Sequence, residues 1–88
     1  MPPPYYIQIE RRALKMLMAL PNRIRMQIRK AIDSLALNPR PDGVRKLAAT
    51  NNIYRIRVGQ YRVVYAIKDK ELRILVIKIG HRKDIYRP

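Results

Sequence analysis

The stretch YRIRVGQYRVVY, at positions 54–65, constrains the fold more than any other part of the chain. Two short runs of alternating apolar and basic residues flank the pair Gly59-Gln60. Half-buried strands alternate in this way, and a two-residue loop that begins with glycine favours a type II′ hairpin turn. The sequence therefore predicts a β-hairpin with strands at Ile53–Val58 and Tyr61–Lys68.

The segments around the hairpin complete a small α+β fold. A first strand is predicted at 5–9, followed by a helix over Glu10–Leu20 and a second helix that begins at Pro21. The proline-rich stretch NPRP ends the second helix, and a further strand follows the hairpin. The order β-α-α-β-β-β predicts one domain over residues 1–88, in which a helical hairpin packs on one face of a small antiparallel sheet.

The register of the strands predicts what each face of this sheet carries. The last strand is predicted at Glu71–Ile79, joined to the hairpin by a two-residue Asp69-Lys70 loop, which sets Arg62 opposite Ile77. The face toward the helices then carries Tyr54, Ile56, Val58, Tyr61, Val63, Tyr65, Ile67, Leu72, Ile74 and Val76. The other face carries Arg55, Arg57, Arg62, Val64, Ala66, Arg73, Leu75, Ile77 and Ile79. The methionines of the helices are interpreted as core-filling residues: Met16, Met18 and Met26.

The charge of the chain indicates a polyanionic or acidic partner. Twenty Lys and Arg residues outnumber six Asp and Glu, which gives a net charge of +14. Such an excess repels itself unless RNA, DNA, an acidic protein or anionic lipid is near. Lipid is the least favoured of these, because the basic residues are spread over every predicted element.

Composition also bounds the chemistry and the location. The chain has no cysteine and one histidine, so we expect neither a metal site nor a cofactor. No apolar run approaches the roughly 20 residues that span a bilayer, and the N-terminus has no signal-peptide pattern. We therefore expect a cytoplasmic protein that is not bound to a membrane.

Three arginines, Arg55, Arg57 and Arg62, are predicted to lie together at one end of the hairpin. Arg57 faces Arg62 directly, and like charges across a strand pair are destabilising. The three side chains either splay into water or bind an anion, and their convergence favours a phosphate site. The third strand ends beside them, so we expect the segment 80–87 to emerge there, with His81, Arg82, Lys83 and Tyr86.

This set of residues suits RNA cleavage better than DNA cleavage. RNA supplies its own nucleophile, the 2′-hydroxyl, so the protein needs a base, cations for the phosphorane and an acid, without a metal. His81 is a candidate acid or base, or a surface histidine that only binds phosphate. Tyr86 is a candidate base, or an aromatic that anchors the tail or stacks on a nucleotide base. Arginine takes up no proton, so the arginines stabilise charge and position phosphate.

The run KLAATNNIYRIRVGQYRVVYAIKDKELRILVIKIGHRKDIYR resembles the RelE branch of the RelE/ParE toxin superfamily. The preceding ALKMLMALPNRIRMQIRKAIDSLALNPRPDGVRKL is similar as well, so the resemblance covers nearly the whole chain. It implies a toxin of a type II toxin–antitoxin system that enters the ribosomal A site and cuts mRNA there, leaving a 2′,3′-cyclic phosphate. It also implies an acidic antitoxin and a heteromeric toxin–antitoxin complex.

The resemblance also implies roles for individual residues. Arg62 matches the arginine that stabilises the transition state, Arg82 the one assigned to the leaving group, and Tyr86 the tyrosine assigned as base. Arg55 and Arg57 match two basic positions that are usually held by lysine. Lys46 matches a basic position of the connector before the hairpin that contacts RNA in the family. His81 departs from the pattern, because it stands where the family has a lysine.

Two other functions fit the same fold. A ParE-like toxin inhibits gyrase and is not a nuclease, and a plain RNA- or DNA-binding domain performs no chemistry. The fold alone does not separate these functions.

Overall fold

A computed structural model of the chain describes residues 3–47 and 52–81. These residues form one sheet of five strands and two helices: β1 (Tyr6–Ile9), α1 (Arg11–Met18), α2 (Asn22–Ser34), β2 (Arg45–Lys46), β3 (Ile53–Val58), β4 (Tyr61–Lys68) and β5 (Arg73–His81). The strands are ordered β1-β5-β4-β3-β2 across the sheet. The α+β class and the helical hairpin on one face are confirmed.

The prediction of an antiparallel sheet with four strands was wrong in two respects. First, β1 runs parallel to β5, with Ile7 paired to Ile74. A parallel pair needs a crossover connection, and the chain between β1 and β5, which contains both helices, provides it. Second, residues 44–47, which were predicted to be a connector between α2 and the first hairpin, contain β2. This strand pairs antiparallel with β3. Two residues are too few for their periodicity to reveal a strand.

Each helix packs a narrow apolar stripe against the sheet. In α1 the buried residues are Ala13 and Leu17, and in α2 they are Ile28 and Ile32. Residues four apart on a helix lie on one face, so each pair contacts the same side of the core. Within the part of the chain that the structure describes, neither helix is long and apolar enough to cross a membrane.

The interpretation of the methionines as core filling was wrong. The exposed fractions are 44% for Met16, 59% for Met18 and 63% for Met26. In α1, Leu14 and Met18 are also four residues apart, so they form a second apolar stripe beside that of Ala13 and Leu17. Only one of the two stripes faces the sheet, and the second therefore lies on the outer surface.

The first hairpin matches its prediction in both its bounds and its register. Val58 pairs with Tyr61, so Arg57 lies directly opposite Arg62. Gly59 has a φ of +61°, and Gln60 keeps a negative φ. This combination defines the type II′ turn, for which glycine is needed at the first position.

The second hairpin differs from its prediction. Asp69–Glu71 forms a 3₁₀ turn, and Leu72 follows with a φ of +50°, so the loop has four residues rather than two. An irregularity between Val64 and Tyr65 then shifts the pairing by one more residue. Neither feature leaves a periodic signal in the sequence, because each depends on one or two backbone angles.

The shifted register changes the contents of both faces near the end of β5. Arg62 lies opposite Gly80 instead of Ile77. Ile79, predicted on the open face, is 1% exposed within the core, and Leu72, predicted in the core, is 38% exposed. The one-residue shift at Val64/Tyr65 moves the side chains that follow it on β5 to the other face, which accounts for Ile79. Leu72 is exposed for a different reason, because it belongs to the loop before β5.

Candidate nucleic-acid interface

The face of the sheet opposite the helices carries a continuous set of cations. Side chains that pair directly across strands share one face, and Arg45 pairs with Arg55, Arg57 with Arg62, and Val64 with Lys78. Val63, beside Val64 on β4, belongs to the core. We call the part of the other side that carries Arg45, Arg55, Arg57, Arg62 and Lys78 the basic face.

The basic face has two rows of residues that cross the strands. One row contains Arg45, Arg55, Val64 and Lys78 on β2, β3, β4 and β5, and the other contains Arg57, Arg62 and Gly80 on β3, β4 and β5. Adjacent strands lie about 4.8 Å apart, so the backbones at Arg45 and Lys78 are about 14 Å apart. Positive charge therefore extends over a surface wider than a single phosphate.

The arginines of the basic face differ in exposure. Arg57 is exposed and Arg55 is half-buried, whereas Arg62 is 2% exposed. Its neighbour on β5, Gly80, has no side chain, which leaves room for the arginine beside that strand. A guanidinium held in such a place interacts with an anion more strongly than one in water, because the surroundings are less polarisable.

A cavity of about 310 Å³ adjoins the outer end of the basic face. It lies between β3 and the turn that leads into β2, and its lining residues are Asp42, Gly43, Arg45, Arg55, Ile56 and Arg57. The turn is closed by a hydrogen bond that the Val44 N–H donates to the Pro41 carbonyl, and Gly43 has a φ of +84°. Glycine therefore suits the third position of this turn, which directs the chain back toward β3.

The structure brings together some of the predicted site residues and separates others. Arg55, Arg57 and Arg62 share the basic face, as the register predicted. Lys46 pairs with Tyr54, so the alternation of the strand places it on the face opposite to that of Arg45. The predicted residues Arg82, Lys83 and Tyr86 lie outside the described residues.

His81 lies beside Tyr61 rather than beside Arg62. The two residues are paired across β4 and β5, and their rings meet edge to face with centroids 5.5 Å apart at an angle of 78°. Tyr61 packs against the core, so His81 belongs to the helix-covered side at the end of the sheet. His81 therefore follows Gly80, the partner of Arg62, directly along β5, but it lies on the opposite side of the sheet from the arginines.

Two cations of the basic face were not predicted to belong to it. Arg45 was placed in a connector, and Lys78 was not assigned to a face. The signals for them are indirect: Arg45 becomes visible only when β2 is recognised as the partner of β3, and Lys78 only when the shift between Val64 and Tyr65 is known.

A polar cluster fixes the segment that leads into β2. Arg40 donates to the Asp69 carboxylate at 3.0 Å and to the Tyr54 hydroxyl at 3.2 Å, and its guanidinium lies 5.2 Å from the centre of the Tyr54 ring. Tyr5 donates to the other Asp69 oxygen at 2.6 Å, and Tyr65 donates to the Pro39 carbonyl at 2.7 Å. The cluster therefore ties the exit of α2 to β3, β4 and the second hairpin turn.

The electrostatics of this cluster are those of a structural contact. Hydrogen bonds from Arg40 and then from Tyr5 lower the pKa of the Asp69 carboxyl. The same carboxylate, followed by the Tyr54 hydroxyl, raises the pKa of Arg40. The bond to Asp69 is also the main cause that raises the pKa of Tyr5, and burial raises that of Tyr65. At neutral pH the two tyrosines are neutral and the ion pair is charged, and each shift widens the pH range over which this remains so.

A second surface, the methionine groove, runs between the two helices. It is lined by Leu17, Met18, Arg25, Met26, Arg29, Lys30 and Asp33. Asp33 forms an ion pair with Arg29 at 3.5 Å, so the groove has an apolar floor and a rim that is basic on balance. Among residues 3–47 and 52–81, no group of three or more His, Cys, Asp or Glu side chains is placed to hold a metal ion.

The sequence matches a known family over nearly all of its length. Residues 7–86 match the family described as the ParE toxin of the type II toxin–antitoxin system, parDE. A relative named mRNA interferase toxin RelE, from Escherichia coli (strain K12), is 30% identical over 81 residues, covering 90% of this chain and 84% of the relative. Toxin RelG from Mycobacterium tuberculosis is 33% identical over 88 residues, covering 96% of this chain and 98% of the relative.

The fold also matches solved structures. The archaeal RelE–RelB complex from Pyrococcus horikoshii OT3 contains a chain that superposes with a TM-score of 0.80 at 31% identity. The match covers 89% of this chain and 94% of the other. The similarity therefore extends over the helical hairpin and the sheet together.

Proposed function

The chain belongs to the ParE toxin family of type II toxin–antitoxin systems and is a RelE-type toxin, and from this premise we propose that it cleaves mRNA. The proposed reaction takes place in the ribosomal A site and uses the 2′-hydroxyl of the RNA as nucleophile. The relative from E. coli is named an mRNA interferase, which supports the reaction class.

The observation that carries this proposal is the placement of Arg57 directly opposite Arg62, with Arg55 on the same face. Two guanidinium groups across one strand pair repel each other, and the repulsion costs stability in the free protein. A phosphodiester between them reverses the sign of that interaction, because each arginine can donate hydrogen bonds to phosphate oxygens. A face that serves only solubility has no need of this arrangement.

The chemistry needs one bond to form and one to break at phosphorus. A base removes the 2′-hydroxyl proton, the 2′ oxygen bonds to phosphorus, and the bond from phosphorus to the 5′ oxygen breaks. An acid protonates the departing 5′ oxygen, which leaves a 2′,3′-cyclic phosphate on one fragment and a 5′-hydroxyl on the other. Since side chains carry both protons and arginines stabilise the phosphorane, the proposed reaction does not depend on a metal ion.

The proposed roles follow the position of each residue. Arg62, held in the sheet beside Gly80, stabilises the charge that develops on the phosphorane. Arg57, opposite it, positions the same phosphate, and Arg55 binds the RNA backbone beside it. By family resemblance, Tyr86 is the base and Arg82 assists the leaving oxygen. His81 can share the proton transfer only around the end of the sheet, since it lies on the side of Tyr61.

We further propose that the ribosome is needed for efficient cleavage. The arginines of the basic face bind and stabilise charge, but they do not force the 2′-hydroxyl, phosphorus and 5′ oxygen into line. Alignment of this kind contributes several kcal/mol to the lowering of a barrier. An A-site codon held by rRNA supplies the alignment, so we expect the isolated protein to cut free RNA slowly.

A translating extract tests the proposal. Primer extension on a translated mRNA should show cuts in phase with codons when the wild-type protein is added, and 2′,3′-cyclic phosphate at the new ends. Arg62→Ala should abolish the cuts. Because Arg62 is buried and its loss can unfold the chain, exposed Arg57→Ala is measured in parallel, with Arg12→Ala on α1 as the matched control. Cleavage by both basic-face variants at the wild-type rate would overturn the proposal.

A second candidate function is a ParE-like toxin that inhibits gyrase, which the description of the matching family favours. It predicts blocked replication and intact mRNA after expression, and an equal effect from wild type and Arg57→Ala. The same extract, together with a gyrase supercoiling reaction, distinguishes the two functions.

We also propose an antitoxin partner with acidic, amphipathic segments, in a heteromeric complex. The comparison structure from P. horikoshii is a RelE–RelB complex, which supports the pairing. The methionine groove suits such a segment, because methionine adapts to the shape of a bound apolar face and Arg25, Arg29 and Lys30 attract acidic residues. Co-expression with the protein of an adjacent reading frame should restore growth, and copurification should recover both chains.

A further inference from the structure

Arg45 extends the basic face beyond the arginines of the hairpin. It is exposed, and it pairs with Arg55 on the neighbouring strand. Its successor Lys46 is also exposed but pairs with Tyr54, so the two adjacent cations lie on opposite faces of the sheet. Lys46 therefore carries the same charge as Arg45 and is next to it in sequence, but it lies on the opposite surface of the sheet.

The backbone holds Arg45 in this place from both sides. On one side, the turn at Pro41–Val44 and the contacts of Arg40 with Asp69 and Tyr54 fix the segment before β2. On the other side, the Leu47 N–H donates to the Ile53 carbonyl at 2.8 Å, which closes the pairing of β2 with β3. A short edge strand needs such contacts, because two residues alone do not hold a strand in register.

The cavity beside Arg45 is lined by several hydrogen-bond donors for a phosphate and by few acidic groups that would repel one. Three of its lining residues are arginines, Arg45, Arg55 and Arg57, and one is an acid, Asp42. Arg57 also faces Arg62, so it borders both the hairpin site and the cavity. A strand of RNA that places one phosphate between Arg57 and Arg62 therefore has its neighbouring phosphate within reach of the cavity, because successive phosphates are joined by one nucleotide.

We propose that this cavity is a second phosphate subsite, in which Arg45 and Arg55 bind the phosphate adjacent to the one that is cut. The inference rests on the proposed function for the identity of the ligand as RNA. It assigns to Arg45 a contact that family resemblance gave to Lys46. The subsite fixes the register of the RNA on the sheet and takes no part in bond breaking.

The test measures binding of a single-stranded oligoribonucleotide whose central 2′-hydroxyl is replaced by hydrogen and whose other 2′-hydroxyls are methylated, so that no linkage has a nucleophile. Arg45→Ala is compared with Lys46→Ala, which removes the same charge from the opposite face. We expect Arg45→Ala to raise the Kd about threefold to tenfold and to lower the salt slope of log Kd by about 0.7, the value for one phosphate of a single strand. Lys46→Ala should change the Kd less than about twofold, as expected for an exposed charge on the opposite face of the sheet.

A neutral methylphosphonate at each linkage in turn locates the subsite. At the linkage adjacent to the central one, this change should remove the difference between wild type and Arg45→Ala. Equal effects of Arg45→Ala and Lys46→Ala, or a difference that no methylphosphonate removes, would overturn the subsite. Arg57→Ala separates this failure from that of the proposed function: if it too binds RNA as well as wild type, the basic face does not bind RNA at all.

Discussion

Arg57 and Arg62 lie directly opposite each other on β3 and β4, yet Arg57 is exposed while Arg62 is 2% exposed. An incoming anion therefore meets Arg57 before it meets Arg62. Under the proposed function, we therefore expect the outer arginine to capture the RNA and the inner one to act on the bound phosphate.

Replacing Arg57 should separate binding from chemistry. Arg57→Ala should raise KM for RNA in the translating extract with a small change in kcat, whereas Arg62→Ala should lower kcat by a factor of about 100 or more, as loss of a transition-state donor does. Thermal unfolding of both variants shows whether replacement of the buried Arg62 destabilises the fold. A fall in kcat of equal size for the two variants would contradict the division of tasks.

The opposed arginines should destabilise the free protein. Arg57→Thr removes the like-charge pair and introduces a residue that favours strands, so we expect the free energy of unfolding to rise by about 0.2–1 kcal/mol at low ionic strength. The gain should shrink at 1 M salt, where the Debye length is about 3 Å. Arg12→Thr, on a helix, is the control and should show no such gain. Equal stability of wild type and Arg57→Thr at low salt would argue that the two side chains avoid each other.

Gly80 should be intolerant of larger side chains because it lies beside Arg62. Gly80→Val adds a branched side chain at a buried position next to the guanidinium, and overpacking of this kind costs about 1–3 kcal/mol. Gly80→Ala adds a smaller side chain, so it should lose less stability and less cleavage activity than Gly80→Val. Denaturant unfolding and the extract reaction measure the two effects. Wild-type cleavage by a folded Gly80→Val protein would show that Arg62 does not use the space beside β5.

The ion pair between Arg40 and Asp69 should contribute stability that depends on pH. The pKa of Asp69 is lowered in the folded protein, so the contribution is present above the ordinary pKa of an aspartate and is lost as pH falls through the lowered value. Both side chains are more than two-fifths exposed, which limits the contribution to about 1 kcal/mol or less. Asp69→Asn should therefore be less stable than wild type at pH 7 and equal to it near pH 2, in denaturant titrations at each pH. A difference that persists at pH 2 would locate the effect elsewhere.

The methionine groove should matter for the antitoxin and not for RNA. Met18→Asp combined with Met26→Asp places acid on the floor of the groove, which should weaken antitoxin binding by a factor of ten or more. Both residues are more than half exposed, so folding and mRNA cleavage should remain. Leu37→Asp, at a position 78% exposed and outside the groove, is the control. Unchanged antitoxin binding by the double variant would place the partner on another surface.

Local sequence patterns were sufficient to predict the first hairpin. Alternation around Gly59-Gln60 predicted the bounds of β3 and β4, the turn type and the opposition of Arg57 and Arg62. These features are local: one glycine with a positive φ fixes the turn, and the turn fixes every pair along the two strands. The same alternation predicted that Tyr54 and Tyr65 face the helices, and both residues lie in the core.

The edges of the sheet and the membership of the basic face depend on contacts that the local sequence does not record. The parallel pairing of β1 with β5, the pairing of β2 and the irregularity between Val64 and Tyr65 join segments that are distant in sequence, and no local period records such contacts. They placed Gly80 beside Arg62, Arg45 beside Arg55 and His81 beside Tyr61. Composition supplied the charge, and strand pairing decided which charges meet, because a shift of one residue exchanges the two faces of a strand.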